Sequence, residues 1–284
     1  MKPNPFMKDV FNPDFFIIHK VLQAEESKNF HYHDSFEIYV ALNDGKKYFV
    51  NDKVYPLQKG DIFVFNHLDL HNAIVPSNTP NEIYVIHFTP QYVRELSSSE
   101  TNLLECFLDR GPDFSHRVHL NPEQFLAFTA LCEKAYAFES KPCYGWDVSR
   151  KTLLAEILIM INTFYRTAEH SGTYVHEIAG KKIAPVIEYI NKNIRRDISL
   201  RMLARTFFMN QNHLNKIFKK ATGYTVKEYI ISRRIIIAKQ YLLENTPVAL
   251  VAETTGFRNN SHFIRTFKKL VGITPKQYAK KQDG

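Results

Sequence analysis

The chain has 284 residues, of which 44% are hydrophobic and 23% charged, a composition that excludes a disordered chain and a fibrous repeat. At about 100–200 residues per domain, this length predicts two domains. The net charge of +8 suggests a polyanionic partner but does not identify one. No segment has the character of a signal peptide or a membrane span, and the three cysteines lack CxxC spacing, so we expect a cytoplasmic protein without a membrane partner.

Short strands separated by turns are predicted in the first part of the chain. Residues 36–42 and 47–50 flank the Asn-Asp-Gly turn at 43–45, which is a hairpin signal. Residues 62–65 and 82–89 read as further strands. Many short strands with regular turns predict a β-sandwich or jelly roll.

Four polar residues in this part suggest a site. His31, His33 and Glu37 share one face of an extended strand, and His71 can approach them from a neighbouring strand. The pattern resembles that of the cupins, in which three His and one Glu hold a divalent metal inside a barrel. A pocket for an organic ligand without metal and a merely solvated face remain open.

Aromatic side chains are expected to line the same interior. Aromatic residues are common in small-molecule pockets, but they also fill ordinary cores. The predicted inward-facing aromatic residues are Tyr39, Phe49, Phe63, Phe65 and Tyr84.

Helical periodicity replaces the strand pattern after Pro90. Helices are predicted over residues 100–108, 122–138 and 147–169. The last has an apolar stripe wider than one contact requires, which favours packing on the barrel or a helix of a second subunit. Residues 171–180 read as an interdomain linker.

The charge divides sharply along the sequence. Residues 1–179 carry 16 Lys and Arg against 23 Asp and Glu, a net −7, whereas residues 180–284 carry 21 against 6, a net +15. This asymmetry favours nucleic acid or an anionic membrane as the partner of the basic part. Within it, residues 213–229 recur as residues 262–278 with eight identities, which indicates a duplicated subdomain.

Each copy reads as a helix, a turn and a second helix. Ser199 and Asn210 are suitable N-caps in the first copy, and Gly223 and Gly272 suit the left-handed position that ends a helix. A longer helix over residues 225–244 is apolar on more than one face, so we expect it to contact both subdomains.

The second helix of each copy has the composition of a DNA-reading helix. Asn and Gln pair with adenine edges, Arg and Lys pair with guanine, and lysines near the helix end suit phosphates. Exposed polar faces of a helical bundle are the alternative. The candidate DNA-contacting residues are Asn210, Gln211, Asn212, Asn215, Lys216 and Lys219 in the first copy and Asn259, Asn260, Ser261, His262, Arg265 and Lys268 in the second.

Residues 183–280 resemble the DNA-binding domain of the AraC/XylS family of bacterial transcription regulators. Spacing, duplication and the segment GFRNNSHFIRTFKKLVGITPKQY carry this resemblance. It implies two helix-turn-helix subdomains joined by a rigid helix, with each recognition helix in one of two successive major grooves. By motif position it places Asn212, Asn215 and Lys216 on bases of one groove. In the other groove it places Asn260, Ser261 and Arg265 on bases.

The resemblance also bears on the first domain and on partners. In AraC-type sensor domains the His and Glu pattern lines an organic-ligand pocket without metal, so no cofactor is required and a divalent metal is optional. The implied partners are double-stranded DNA, a small-molecule effector such as a sugar, RNA polymerase and a second copy of the chain. One departure is Phe208, where many helix-turn-helix motifs have Gly, which leaves the geometry of that turn open.

We therefore predict an α+β chain of two domains. Residues 1–170 form a cupin-like jelly roll with flanking helices that senses a ligand and dimerises, and residues 181–284 form the all-α DNA-binding domain. The alternative is a cupin metalloenzyme, an isomerase or a dioxygenase, with a helical appendage. That alternative leaves the duplicated basic segment unexplained.

Overall fold

The computed structural model describes residues 14–22, 35–44, 46–51, 53–74, 81–111, 114–140, 144–167, 177–178 and 180–280. His31 and His33 lie outside these residues. Within the described ranges, none of the helices combines the length and apolarity that crossing a bilayer requires.

Two antiparallel sheets form the described part of the first domain. The strands of one sheet, in spatial order, are β1 (Phe15–Leu22), β7 (Asn81–Phe88), β2 (Phe36–Ala41), β5 (Asp61–Phe65) and β8 (Arg117–His119). Those of the other are β6 (His71–Ile74), β3 (Lys46–Val50), β4 (Lys53–Leu57) and β9 (Glu177–Ile178). The four predicted strands are confirmed, and the two-sheet arrangement agrees with the predicted jelly roll.

Alternation along the strands creates two separate cores. Ile38 and Val40 of β2 face the helices, whereas Tyr39 and Ala41 face the opposite sheet. The helices are α1 (Pro90–Arg94), α2 (Glu105–Leu108), α3 (Pro122–Ser140) and α4 (Trp146–Thr167). Much of the α4 stripe is buried in the same core as the outward residues of β2, so the barrel itself occupies that stripe.

The predicted helix over residues 100–108 is shorter than expected. Only Glu105–Leu108 is helical. The hydroxyl of Ser98 accepts hydrogen bonds from the amides of Glu100 (3.3 Å) and Thr101 (3.1 Å). Short hydroxyl side chains that bind neighbouring amides in this way hold the backbone in a turn.

Seven helices lie within residues 180–280 of the second domain, namely α5 (Gly180–Lys192), α6 (Leu200–Thr206), α7 (Gln211–Thr222), α8 (Val226–Leu243), α9 (Val248–Thr254), α10 (Asn260–Val271) and α11 (Pro275–Ala279). The predicted caps are present, with Ser199 and Asn210 accepting from backbone amides and Gly223 and Gly272 at φ of 80° and 87°.

Helix α8 joins the two subdomains, as its apolar pattern predicts. Tyr229 and Ile236 are buried in the core of the first subdomain, and Ile235 and Leu242 in that of the second. The two cores therefore share one rigid element.

The two helix-turn-helix turns close in the same way despite the Phe208 departure. The amide of Met209 donates to Ala204 (2.8 Å), as that of Phe257 donates to Ala252 (3.0 Å). Phe208 adopts a φ of 53°, a left-handed conformation that costs an L-residue roughly 1–2 kcal/mol. The substitution thus leaves the turn geometry intact.

The predicted linker lies partly outside the described residues. Residues 177–178 form β9 and pair with β4 of the barrel, and α5 begins at Gly180. The last residues before the helical domain are therefore attached to the barrel sheet instead of crossing freely between domains.

Candidate functional site

The open sides of α7 and α10 carry the predicted DNA-contacting residues. Leu214 and Phe218 of α7, and Phe263 and Phe267 of α10, are buried, which leaves the polar side of each helix in solvent. The exposed polar residues are Gln211, Asn212, Lys216 and Lys219 in α7 and Asn260, Ser261, His262, Arg265 and Lys268 in α10. Side chains of these types can bind base edges and phosphates of duplex DNA.

Asn210 and Asn259 have a different task at the start of the two helices. Asn210 Oδ1 accepts from the amides of Asn212 (2.8 Å) and His213 (3.4 Å). Asn259 Oδ1 accepts from the amide of His262 (3.1 Å). These oxygens are engaged in capping, so both residues position the recognition helices, and their contact with DNA stays a prediction.

Asn215 also has a role in the fold. Its Oδ1 accepts from the amide of Val226 at the start of α8 (3.1 Å). In the second copy the equivalent positions are Ile264 and Pro275, and proline has no amide hydrogen to donate. Both members of the pair differ between the copies, so Asn215 joins α7 to α8 in the first copy, and its contact with a base stays a prediction.

The barrel interior contains some of the predicted aromatic residues and excludes others. Tyr39, Phe63 and Phe65 belong to the interior cluster, which also contains Tyr48 and Tyr55. Tyr48 stacks on Phe63 with ring centres 5.0 Å apart and on Phe65 at 5.4 Å. The interior is therefore a packed aromatic cluster.

Phe49 and Tyr84 face away from this interior, which corrects their prediction. Tyr48 and Val50 point inward on β3, so Phe49 between them points outward. Ile83 is inward on β7, so Tyr84 points outward, where it stacks on His19 with ring centres 4.6 Å apart. A strand alternates its side chains, so one residue of register decides which face each occupies.

Glu37 and His71 meet inside the barrel, as the sequence predicts. His71 Nε2 lies 3.2 Å from Glu37 Oε2, and the ring stacks on Phe65 with centres 4.0 Å apart. Its Nδ1 lies 2.9 Å from the carbonyl oxygen of Asp69, which only accepts, so Nδ1 carries a hydrogen. Burial would lower the pKa of His71, but the charge and hydrogen bond of Glu37 oppose it and the net pKa is raised.

The structure describes two of the four residues in the predicted metal-ligand set. Glu37 and His71 are two of the four predicted ligands, and the other two, His31 and His33, are not described. Among the described residues, groups of three or more metal-binding side chains in ligating positions are absent.

The outer face of the β3–β6 sheet packs against the first helix-turn-helix subdomain. Phe49 contacts Tyr224 and Tyr229, with ring centres 6.0 and 6.2 Å apart. The hydroxyl of Tyr224 donates to the carbonyl of His71 (2.9 Å), and that of Tyr229 donates to the carbonyl of Asn51 (3.1 Å). The second copy has Ile273 where the first has Tyr224, so the first copy is specialised for this contact.

Asp69 supports the barrel side of the interface. Its carboxylate accepts from Arg110 Nη1 (2.6 Å), His116 Nε2 (3.0 Å) and Asn51 Nδ2 (3.2 Å). Asn51 Oδ1 in turn accepts from the amide of Leu70 (3.0 Å). The buried Asp69 carboxylate therefore stabilises both loops that pack on the helical domain, the one at Asn51 and the one that precedes His71. No motif or spacing in the sequence indicates this role.

Two family models match separate parts of the chain. Residues 12–140 match the family model of the AraC-like ligand binding domain, and residues 203–281 match a helix-turn-helix domain model. The chain belongs to the AraC/XylS family of transcription regulators. It is 22% identical over 238 residues to a probable transcriptional regulator, LumQ of Photobacterium leiognathi, covering 84% of this chain and 86% of LumQ.

Further relatives match one or both domains. The multiple antibiotic resistance protein MarA of Escherichia coli is 32% identical over 75 residues, which is 26% of this chain and 59% of MarA. Among solved structures, fatty-acid-bound ToxT of Vibrio cholerae is 15% identical and covers 95% of this chain and 96% of its own, with a TM-score of 0.42. The DNA-binding domain of AdpA in complex with DNA is 24% identical and covers 36% of this chain and 98% of its own, with a TM-score of 0.33.

Membership of the AraC/XylS family establishes a DNA-binding transcription regulator with an N-terminal ligand-binding domain. The metalloenzyme alternative is therefore rejected in favour of a transcription regulator, because the matched families and relatives regulate transcription. Which side chains touch bases stays a prediction, and this includes Asn215.

Two asparagines on the first recognition helix allow the structural and base-reading roles to be separated. Asn215→Ala should destabilise the helical domain by about 1–3 kcal/mol, because it leaves the buried amide of Val226 without its acceptor. Asn212→Ala should leave stability within about 0.5 kcal/mol and weaken discrimination of one base pair by about 1–3 kcal/mol. Urea unfolding and binding to base-substituted duplexes measure the two effects. Equal unfolding curves for both variants would contradict the assignment of Asn215.

Proposed function

We propose that this AraC-family regulator senses a small organic molecule in its barrel and transmits binding to the first helix-turn-helix subdomain across the Phe49 interface. The supporting observation is that strand β6 contacts both the barrel interior and the helical domain. The His71 side chain pairs with Glu37 in the interior, while its carbonyl accepts the hydroxyl of Tyr224. A shift of β6 on ligand binding therefore alters the interdomain contact.

Strand β3 offers a second route with the same logic. Tyr48 belongs to the interior aromatic cluster, and the adjacent Phe49 packs on Tyr224 and Tyr229. Tyr48 is only 3% exposed, so a ligand that reaches it must displace neighbouring rings. A ligand shifts an arrangement of domains only by its differential affinity for the two arrangements, and these repacked rings supply that difference.

The chemistry of the interior favours a ligand with hydroxyl groups and a flat apolar face. Stacked aromatic rings accept such faces, and the Glu37–His71 pair provides an acceptor and a donor for hydroxyls. We propose a sugar as the first candidate. The proposal needs no metal; a divalent ion would use Glu37 and His71 together with His31 and His33.

Self-association and the other partners belong to the same proposal. Several apolar side chains of α3 and α4 remain exposed although the main α4 stripe is buried on the barrel, namely Leu126, Tyr136, Val148 and Ile159. We propose that these surfaces pair in a homodimer. We propose RNA polymerase as a further partner of the DNA-bound regulator. The cellular location of the regulator would be the cytoplasm.

Releasing the interface should free the DNA-binding domain from the acidic barrel. Tyr224→Phe removes the hydroxyl that bonds His71, which should weaken docking by about 0.5–1.5 kcal/mol. We expect faster hydrogen exchange in β3 and β6 and a DNA affinity that rises toward that of a fragment beginning at Gly180. The matched control is Leu250→Ala, which trims a half-exposed side chain of the second subdomain and should change neither quantity. Faster exchange without any change in DNA affinity or in its response to ligand would contradict the coupling.

A further inference from the structure

The junction between the two helix-turn-helix subdomains is built around Arg234 of α8. Its Nε donates to the carbonyl of Ile194 (3.0 Å) and its Nη2 to the carbonyl of Arg196 (2.6 Å). Both acceptors lie in residues 193–199, the loop between α5 and α6 of the first subdomain. The guanidinium also lies 6.0 Å from the ring centre of Phe257 in the second subdomain. The Arg234 side chain thus joins helix α8, the loop of the first subdomain and the turn of the second subdomain.

Gly256 closes the junction from the side of the second subdomain. A Cβ at this position would lie 2.8 Å from the carbonyl oxygen of Arg195 and 3.1 Å from Arg234 Cζ. Its φ of 83° also disfavours a side chain. The loop between α5 and α6 therefore packs between Arg234 and the turn of the second helix-turn-helix.

Two peripheral contacts lie on the same loop. Arg195 Nη2 donates to the hydroxyl of Tyr241 in α8 (2.8 Å). Asp197 forms an ion pair with Arg258, directly before the cap of α10. Both residues of this ion pair are exposed, and such pairs contribute little. We therefore assign the restraint chiefly to Arg234 and Gly256.

The internal repeat shows that this packing is specific to the second turn. In the first turn the residue with positive φ is Phe208, which holds the same position after its helix as Gly256 does but is 98% exposed. The first turn thus projects into solvent, whereas the second is fitted against the loop of its neighbour. The chain therefore contains its own control position.

We infer that Arg234 and Gly256 are positioning residues that fix the separation and relative rotation of the two recognition helices, and through them the spacing of half-sites that the protein accepts. A shared helix sets a distance along its axis, but each subdomain can still tilt and rotate where it packs on that helix. A second contact away from that axis removes those motions. This inference rests on DNA binding by α7 and α10.

The first test measures the separation directly in the free, full-length protein. Spin labels are placed at Asn212→Cys and Ser261→Cys, with Cys143→Ser; Cys106 and Cys132 are buried. Pulsed electron resonance should give one narrow distance distribution in the parent protein and with Phe208→Ala. Gly256→Ala and Arg234→Met should broaden or shift it. If Gly256→Ala does not fold, Arg234→Met still decides, since it removes the donors without adding bulk against the loop. Distributions unchanged in Arg234→Met would overturn the inference.

The second test uses duplex DNA that the unlabelled protein selects from a random pool. One base pair is inserted or deleted between the half-sites, which displaces them by about 3.4 Å and 34–36°. The parent and Phe208→Ala should lose about tenfold or more in affinity, and Arg234→Met less than about threefold relative to its own best site. Equal spacing dependence in the parent and Arg234→Met would overturn the inference. Failure to select any duplex would instead count against DNA reading, while the distance measurement would still judge the junction.

Discussion

Asp69→Asn should lower the free energy of unfolding by about 3–5 kcal/mol, the usual cost of removing one partner from a buried charge cluster. The substitution leaves the cationic Arg110 beside a neutral amide, and it disturbs the bonds to His116 and Asn51. Urea unfolding monitored by circular dichroism measures the change. The matched control is Glu105→Gln, whose partner Arg166 is exposed and whose loss should cost less than about 1 kcal/mol. Equal losses in the two variants would show that the cluster does not stabilise the barrel.

The same carboxylate predicts the acid limb of stability. Burial alone would raise the pKa of Asp69, but hydrogen bonds and charges from His116 and Arg110 hold it well below its usual range. A carboxyl with a depressed folded pKa contributes fully above its unfolded pKa of about 3.9 and loses that contribution as pH falls toward the folded value. The parent should therefore lose stability more steeply than Asp69→Asn below about pH 4. Parallel acid limbs would contradict this.

Arg265→Ala should weaken binding to the selected duplex by about 1–3 kcal/mol, or roughly 5- to 150-fold. Arg265 is exposed on α10, and Lys216 occupies the equivalent position on α7. Each residue should read one half-site. The loss with Arg265→Ala should disappear on a duplex whose matching half-site has been scrambled, yet persist when the other half is scrambled. Lys216→Ala should show the opposite dependence.

Titrations of each protein against each duplex at fixed salt give the required cycle, since affinities for DNA depend steeply on salt. A loss of equal size on every duplex, including random DNA, would indicate that Arg265 contacts phosphate only. That outcome would leave DNA binding intact but remove Arg265 from the reading surface.

Local signals in the sequence were sufficient for the helical domain. The caps at Ser199 and Asn210 and the left-handed glycines at 223 and 272 involve residues a few positions apart, and the duplication doubles each signal. The basic net charge of this domain favours DNA as its partner, and the polar residues at the starts of α7 and α10 indicate the surface that binds it. Sequence reasoning therefore located both recognition helices.

Contacts between distant residues explain what the sequence did not show. The orientations of Phe49 and Tyr84 depend on strand register, which a shift of one residue inverts. Asp69 meets Arg110, 41 residues away, and His116, 47 away. Asn215 suits both base reading and a structural role, and the structural one depends on its distant partner Val226. A comparison of the two repeats could have indicated the structural role, since Pro275 replaces Val226.

The most direct test of the central claim is selection of duplex DNA from a random pool by the purified full-length protein. Two exposed recognition helices on a shared α8 predict one enriched site with two half-sites about one helical turn, 10–10.5 base pairs, apart. The affinity should fall steeply with salt, as expected from phosphate contacts by a segment of net charge +15. Recovery of random sequences, bound no better than the starting pool, would contradict the account.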